Sequence, residues 1–257
     1  MYQPKEKGWA CKNGQWRNFF YRANTNDENT IQAVFAEDEY FLQKYPCRPN
    51  GVILDFGAHI GSFSILATTL FPRARILAFE PCAENFELFE KSIKVNHLEN
   101  QIQANLKAVW GVDDEVIQIY FGDETAFGVE HRFNCSHFAG WGKTDIDKKF
   151  DIETVNLHRI LEDNKIDRVD ILKTDCEGSE YDIFNKSSVE DLKKIDLIVG
   201  EYHNILKPPF ENPRQALLDS LHGLFEDITD EPKRDFIMPK ILPDKFYHGD
   251  FVFRLKK

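Results

Sequence analysis

Apolar runs in three regions of this chain end in acids or histidine, and together they limit its chemistry. The first is Val52-Ile53-Leu54-Asp55-Phe56-Gly57-Ala58-His59-Ile60-Gly61, and the next apolar run, Ile76-Leu77-Ala78-Phe79, ends in Glu80-Pro81. A carboxylate accepts through two oxygens, so Glu80 suits both hydroxyls of a ribose. Gly57 and Gly61 let the backbone approach a ligand, and a helix starting near Gly61 aims its amides at that ligand. The glycines are spaced G-x-x-x-G, whereas dinucleotide folds show G-x-G-x-x-G. With Asp55 at the tip of the first strand, this points away from NAD and toward S-adenosylmethionine, whose cationic methionine end suits a carboxylate. Asn85 and the Lys107-Ala108-Val109 stretch are candidates to line an adenine, and serve equally as ordinary helix and strand residues. His59, inside the glycine turn, reads as a ligand-lining residue.

The second run, Leu172-Lys173-Thr174-Asp175-Cys176-Glu177-Gly178-Ser179-Glu180, sets three carboxylates beyond a strand. Ligands in open parallel sheets bind at the carboxyl ends of strands, so Asp175 and Glu177 are expected in the site. Glu180 reads as an acid favoured by a helix N-terminus. The third run, Ile198-Val199-Gly200-Glu201-Tyr202-His203, adds an imidazole. His203 titrates near neutrality and can take a proton from a hydroxyl, oriented by Glu201 or Asp175. A magnesium ion held by Asp175, Glu177 and His203 is the alternative, and a surface histidine just past a strand is the bland one. His131 and His137 matter only if their loop folds over the site.

These residues need strands that end together. Strands are expected at 52–56, 75–79, 105–110, 116–121, 152–157, 169–174 and 196–201, with edge strands at 224–228 and 251–255. Helices are expected at 62–71, from Pro81 to about Asn96, at 157–164, near 180–186 and at 213–221. Such alternation implies an α/β fold with a mostly parallel sheet. Residues 1–30 read as polar and irregular, and Thr30 as the cap of a helix over about 31–43. Residues 1–50 are therefore expected to be a cap segment that cannot fold alone, and 51–257 the main domain. Gly122–Phe150 is a long loop whose Phe127, Phe133, Phe138 and Trp141 could stack on a sugar or flat ring, or anchor the loop.

The chain has 257 residues and a net charge of −11, enough for one large domain and a poor match to phosphate backbones. Nucleic-acid acceptors are therefore disfavoured. Five cysteines without a C-x-x-C pair fit free thiols in a reducing compartment, not zinc. No apolar run has membrane-spanning length and no secretory signal is visible, so the expected location is cytoplasmic. Oligomeric state leaves no signal.

Asp55-Phe56-Gly57-Ala58-His59-Ile60-Gly61, Phe79-Glu80-Pro81, Lys173-Thr174-Asp175-Cys176-Glu177-Gly178-Ser179-Glu180 and Glu201-Tyr202-His203 together resemble the FkbM-type S-adenosylmethionine-dependent methyltransferases. The family's wording is close to D-x-G-A-x-x-G, F-E-P, L-K-x-D-x-E-G-x-E and E-x-H, in this order. Asp27 and the Phe35–Tyr40 stretch also resemble its N-terminal part. The resemblance implies a Rossmann-like class I methyltransferase fold: a mostly parallel seven-stranded sheet, helices on both faces, a short N-terminal helical cap and an inserted β-hairpin or loop. It implies O-methylation of a sugar, glycan or secondary metabolite. The implied cofactor set is Asp55, Gly57, Ala58, His59, Gly61, Phe63, Glu80, Pro81, Asn85, Ala108 and Asp175. His59 departs from the family's commoner asparagine. Two rival readings are a nicotinamide-dependent oxidoreductase on a related half-sheet and a non-catalytic binding protein on a methyltransferase fold.

Overall fold

A computed structural model of the chain describes residues 4–123, 133–136, 149–203, 210–229, 236–237 and 247–257. It opens with an antiparallel hairpin of β1 (Lys5–Ala10) and β2 (Trp16–Tyr21). The chain then runs through α1 (Asp27–Thr30), a π-helical turn at Ile31–Ala36 and a 3-10 turn at Leu42–Lys44. The alternating units follow: β3 (Val52–Phe56), α2 (Ser62–Leu70), β4 (Arg75–Phe79), α3 (Ala83–Val95) and β5 (Ile102–Asn105). An inserted stretch holds β6 (Ala108–Val109), β7 (Val116–Asp123), β8 (Phe133–Ser136) and β9 (Lys149–Val155). The second half comprises α4 (Leu157–Asp163), β10 (Ile171–Thr174), α5 (Glu180–Lys186), α6 (Val189–Leu192), β11 (Leu197–His203), α7 (Pro213–Asp219), β12 (Phe225–Asp227), β13 (Phe236–Ile237) and β14 (Tyr247–Leu255).

The central sheet has the order β12-β14-β11-β10-β3-β4-β5, with β13 also pairing to β14. Strands β5, β4, β3, β10 and β11 are mutually parallel, and β14 runs antiparallel between β11 and β12. This is the mostly parallel seven-stranded sheet of the class I methyltransferase fold. Continuous apolar strands such as Val52-Ile53-Leu54 suit a sheet covered on both faces. One face packs Ile53, Ile76 and Val199 against α2, α3 and the N-terminal residues Phe19, Ile31 and Phe35. The other packs Leu54, Leu77 and Ile198 against α4, α5 and α7.

Four expectations need correction. Residues 5–21 form a hairpin, because Trp9 meets Phe19 and Tyr21 edge-on and Phe19 meets Phe35. The single helix over 31–43 is instead a chain of short turns, interrupted by left-handed Asp38 and Phe41, with the Asp38 carboxylate accepting from the amides of Leu42 and Gln43. The 105–110 strand is two strands: β5 ends at Asn105, and β6 leaves to pair with β9 in a separate four-stranded sheet of order β6-β9-β7-β8. Finally, Cys82 is disulfide-bonded, whereas Cys11, Cys47 and Cys176 are free thiols as expected. Most of the 122–150 loop, including Phe127, His131, His137, Phe138 and Trp141, lies outside the described residues. Among the described residues no helix is long and apolar enough to cross a membrane.

Candidate active site

The tips of β3, β4, β10 and β11 open into a cavity of about 450 Å³. The N-terminal segment forms part of its wall through Asn26, Thr30 and Tyr40, and the inserted sheet another part through Ile117 and Ile119. Of the expected donor-binding residues, Gly57, His59, Glu80, Pro81, Asn85, Ala108 and Asp175 line the cavity, together with Glu177 and Glu201. Asp55, Ala58, Gly61, Phe63 and His203 do not line it.

Both glycines are explained by packing. Gly57 has φ +74°, and a Cβ there would land on the carbonyl of Asp175. Gly61 is the left-handed cap of α2 at φ +90°, and a Cβ there would enter the ring of Phe89 on α3. The G-x-x-x-G spacing thus sets how closely β3 meets the β10 turn and how closely the α2 cap meets α3.

Asp55, expected to face a ligand, is fully buried in the structure. Ser64 Oγ donates to its Oδ2 at 2.6 Å, and Lys173 Nζ stands 3.3 Å from Oδ1, in ion-pair range without a directional hydrogen bond. Lys173 Nζ also donates to the carbonyls of Phe56 at 3.2 Å and Gly57 at 2.5 Å. Burial opposes its charge, but Asp55 and Asp175 outweigh it and raise its pKa. Asp55 and Lys173 are register partners on β3 and β10, so the parallel pairing itself creates this contact.

Glu80 ends β4 as expected. Its Oε1 accepts from the amide of Cys82 at 2.9 Å and from Asn85 Nδ2 at 3.1 Å, and its Oε2 accepts from the amide of His59 at 2.7 Å. Oε1 carries two donors and Oε2 one, which leaves Oε2 acceptor capacity for a hydroxyl. Burial raises the Glu80 pKa against the pull of these hydrogen bonds. Behind it, Arg22 Nη2 donates to Asn85 Oδ1 at 2.7 Å and to Asp27 Oδ1 at 2.9 Å. His59 Nε2 lies 3.6 Å from Asp27 Oδ1, yet burial pushes the imidazole down to about 4, so it is neutral at pH 7.

The far end of the cavity is built by the turn after β10. Tyr40 Oη donates to Asp175 Oδ2 at 2.8 Å, with Lys173 Nζ 3.9 Å from the same oxygen. Burial opposes the Asp175 charge, but Lys173, His203 and the Tyr40 hydroxyl hold its pKa below the usual range. His203 Nε2 is 3.8 Å from Asp175 Oδ1 and 3.6 Å from Glu177 Oε2. One oxygen of each carboxylate and one His203 nitrogen lie within 4.8 Å of one another. Burial opposes charge on His203, but Glu177, Glu180 and Asp175 push its pKa up to about 10.

Glu180, read from sequence as a helix-end acid, is fully buried and structural to the site. It accepts from the amides of Cys176 at 2.6 Å and Gly178 at 2.9 Å, and its Oε1 lies 3.2 Å from His203 Nδ1. The sequence signal was its place just after left-handed Glu177 and Gly178, a turn whose amides need acceptors. Tyr40 was carried only by the family resemblance, and Lys173 was passed over as a strand residue.

A family model described as Methyltransferase FkbM domain matches residues 55–231. The 31-O-demethyl-FK506 methyltransferase FkbM of Streptomyces tacrolimicus is 23% identical over 189 residues, 67% of this chain and 73% of that protein. The AMB antimetabolite synthetase AmbE of Pseudomonas aeruginosa is 25% identical over 245 residues, which cover 78% of this chain and only 11% of the synthetase. M. jannaschii TYW2 in complex with AdoMet has a TM-score of 0.47 at 14% identity, over 100% of this chain and 89% of that one. With the family model spanning most of the chain and all four of its motifs in order, the chain belongs to the FkbM methyltransferase family.

Proposed function

We propose that this chain transfers a methyl group from S-adenosylmethionine to a hydroxyl oxygen of a sugar or other small molecule. The reading is carried by one observation: Glu80, with acceptor capacity left on Oε2, and the Asp175–Glu177 pair line the same cavity. Its volume of about 450 Å³ falls in the range usual for cofactor and ligand sites. When bound, S-adenosylmethionine supplies a methyl carbon already activated on a sulfonium. Glu80 accepts from the ribose hydroxyls, and Ala108, Ile117 and Ile119 offer the adenine an apolar wall. Asp175 and Glu177 hold the acceptor hydroxyl in line with the methyl group, and such positioning alone is worth about 7–11 kcal/mol in favourable cases. A C–O bond forms as the C–S bond breaks, and the hydroxyl proton leaves into the group of Asp175, Glu177 and Glu201.

Oxygen as the acceptor atom is supported by the name of the Streptomyces relative, a 31-O-demethyl-FK506 methyltransferase, whose acceptor is an O-demethyl compound. The net charge of −11 and the acidic acceptor end favour an uncharged small acceptor over a nucleic acid. The test is calorimetry with S-adenosylhomocysteine, followed by turnover of labelled S-adenosylmethionine against a panel of sugars and polyhydroxylated metabolites. Binding of S-adenosylhomocysteine with label appearing in an ether-linked methyl is expected. Binding of NAD with none of S-adenosylhomocysteine would reverse the assignment.

A further inference from the structure

Asp175, Glu177 and His203 have the geometry of a metal centre, and the geometry points to a divalent cation of the magnesium–manganese class held by Asp175 Oδ1, Glu177 Oε2 and His203 Nε2. Ligands about 2.0–2.3 Å from an ion lie about 3 Å apart at right angles and about 4–4.6 Å apart when opposed. The separations of 3.8 Å and 3.6 Å from Nε2 lie between these two limits, and with all three atoms within 4.8 Å of one another, side-chain rotation brings them onto one ion.

The surroundings of each ligand argue for the same assignment. A ligating histidine commonly has its other ring nitrogen fixed by a carboxylate, and Glu180, which is not among the three ligands, stands 3.2 Å from His203 Nδ1. Glu180 is itself locked by the amides of Cys176 and Gly178, so the imidazole is aimed before any ion arrives. Asp175 is divided in the same way. Its Oδ2 is engaged by Tyr40 and faces Lys173, while its Oδ1 is the oxygen nearest His203. Two carboxylate oxygens with one imidazole suit manganese or magnesium better than the sulfur-rich or all-imidazole sets of zinc and copper. Three protein ligands leave positions open on a six-coordinate ion, on the side of the cavity lined by Asp175 and Glu177.

The site stands on its own geometry; its role rests on the methyl-transfer reading, because it sits at the acceptor end of that cavity. An ion here supplies Lewis acidity, which lowers the pKa of a hydroxyl brought to it. In that arrangement the three ligands and Glu180 orient the acceptor, and His203 serves as a ligand.

The experiment is Mn²⁺ titration of the chelator-stripped full chain, followed by calorimetry and water-proton relaxation, with S-adenosylhomocysteine binding measured in parallel. One Mn²⁺ site is expected, competed by Mg²⁺, weakened at least about tenfold by Glu177→Gln and about 10–100-fold by Glu180→Gln. S-adenosylhomocysteine affinity should stay within about twofold in both variants, which also certifies their fold. If Glu180→Gln does not fold, His203→Gln replaces it with the same expected loss. Absence of Mn²⁺ binding in wild type, or unchanged affinity in Glu177→Gln, overturns the metal site while leaving methyl transfer intact. Failure of the wild-type chain to bind S-adenosylhomocysteine overturns the functional reading instead, whatever the Mn²⁺ result.

Discussion

His59 adopts a left-handed backbone, φ 52°, inside the glycine turn, with a neutral ring and its amide tied to Glu80. Its pKa of about 4 lies below the unfolded value of about 6.5, so the unfolded chain binds the extra proton first. Stability should therefore be full above pH 6.5 and decline as pH falls toward 4. Asparagine tolerates the same backbone region, so His59→Asn should keep the fold and flatten that slope, as read by urea denaturation at stepped pH. At Glu80, exchange to Gln removes the charge but keeps the shape. S-adenosylhomocysteine binding should weaken about tenfold by calorimetry, the order of one charge-assisted hydrogen bond at about 1.5–3 kcal/mol. Glu80, Asp175 and Glu177 were legible in sequence because an acid ending an apolar run must emerge at a sheet edge. Asp55 obeyed the same rule and still turned inward. Its partner Lys173 is set by β3–β10 register, which pattern alone does not specify.

Elements were legible where periodicity and breakers agreed. β3, β4 and α5 fall at the expected residues, since each is a buried run bounded by glycine, proline or acidic caps. The hairpin at 5–21 was hidden because only one of its faces is apolar and its partners, Phe35 and α3, lie elsewhere in the chain. The β5–β6 break was hidden because both halves are strand-like and only the choice of partner differs. The two turn glycines should respond differently to substitution. Gly61→Ala should cost about 2–5 kcal/mol from backbone strain and overpacking, with part recovered by Phe89→Leu, because the obstacle is a side chain. Gly57→Ala meets a backbone carbonyl, so no second side-chain change should restore it in equilibrium denaturation.

At the scale of the whole molecule, the N-terminal segment and the sheet share one buried cluster, in which Phe19 and Phe35 join Ile53 and Ile76. Phe19→Ala should cost about 3–5 kcal/mol, and urea unfolding should remain a single transition by both fluorescence and circular dichroism. Two separated transitions would show that the segment melts by itself. The mostly parallel sheet was readable from strand–helix alternation, and its seven strands from the family resemblance. The small inserted sheet was not, since its pairing joins residues on either side of a long loop. The Tyr40–Asp175 hydrogen bond has a practical bearing on protein engineering. The Pro-rich joint before residue 51 looks like a natural splice point for chimaeras between relatives, yet a graft made there would separate a hydroxyl donor from the carboxylate it steadies. Hybrids cut at that seam would keep their sheet and lose the hydroxyl that fixes the Asp175 carboxylate unless Tyr40 and Asp175 are inherited as a pair.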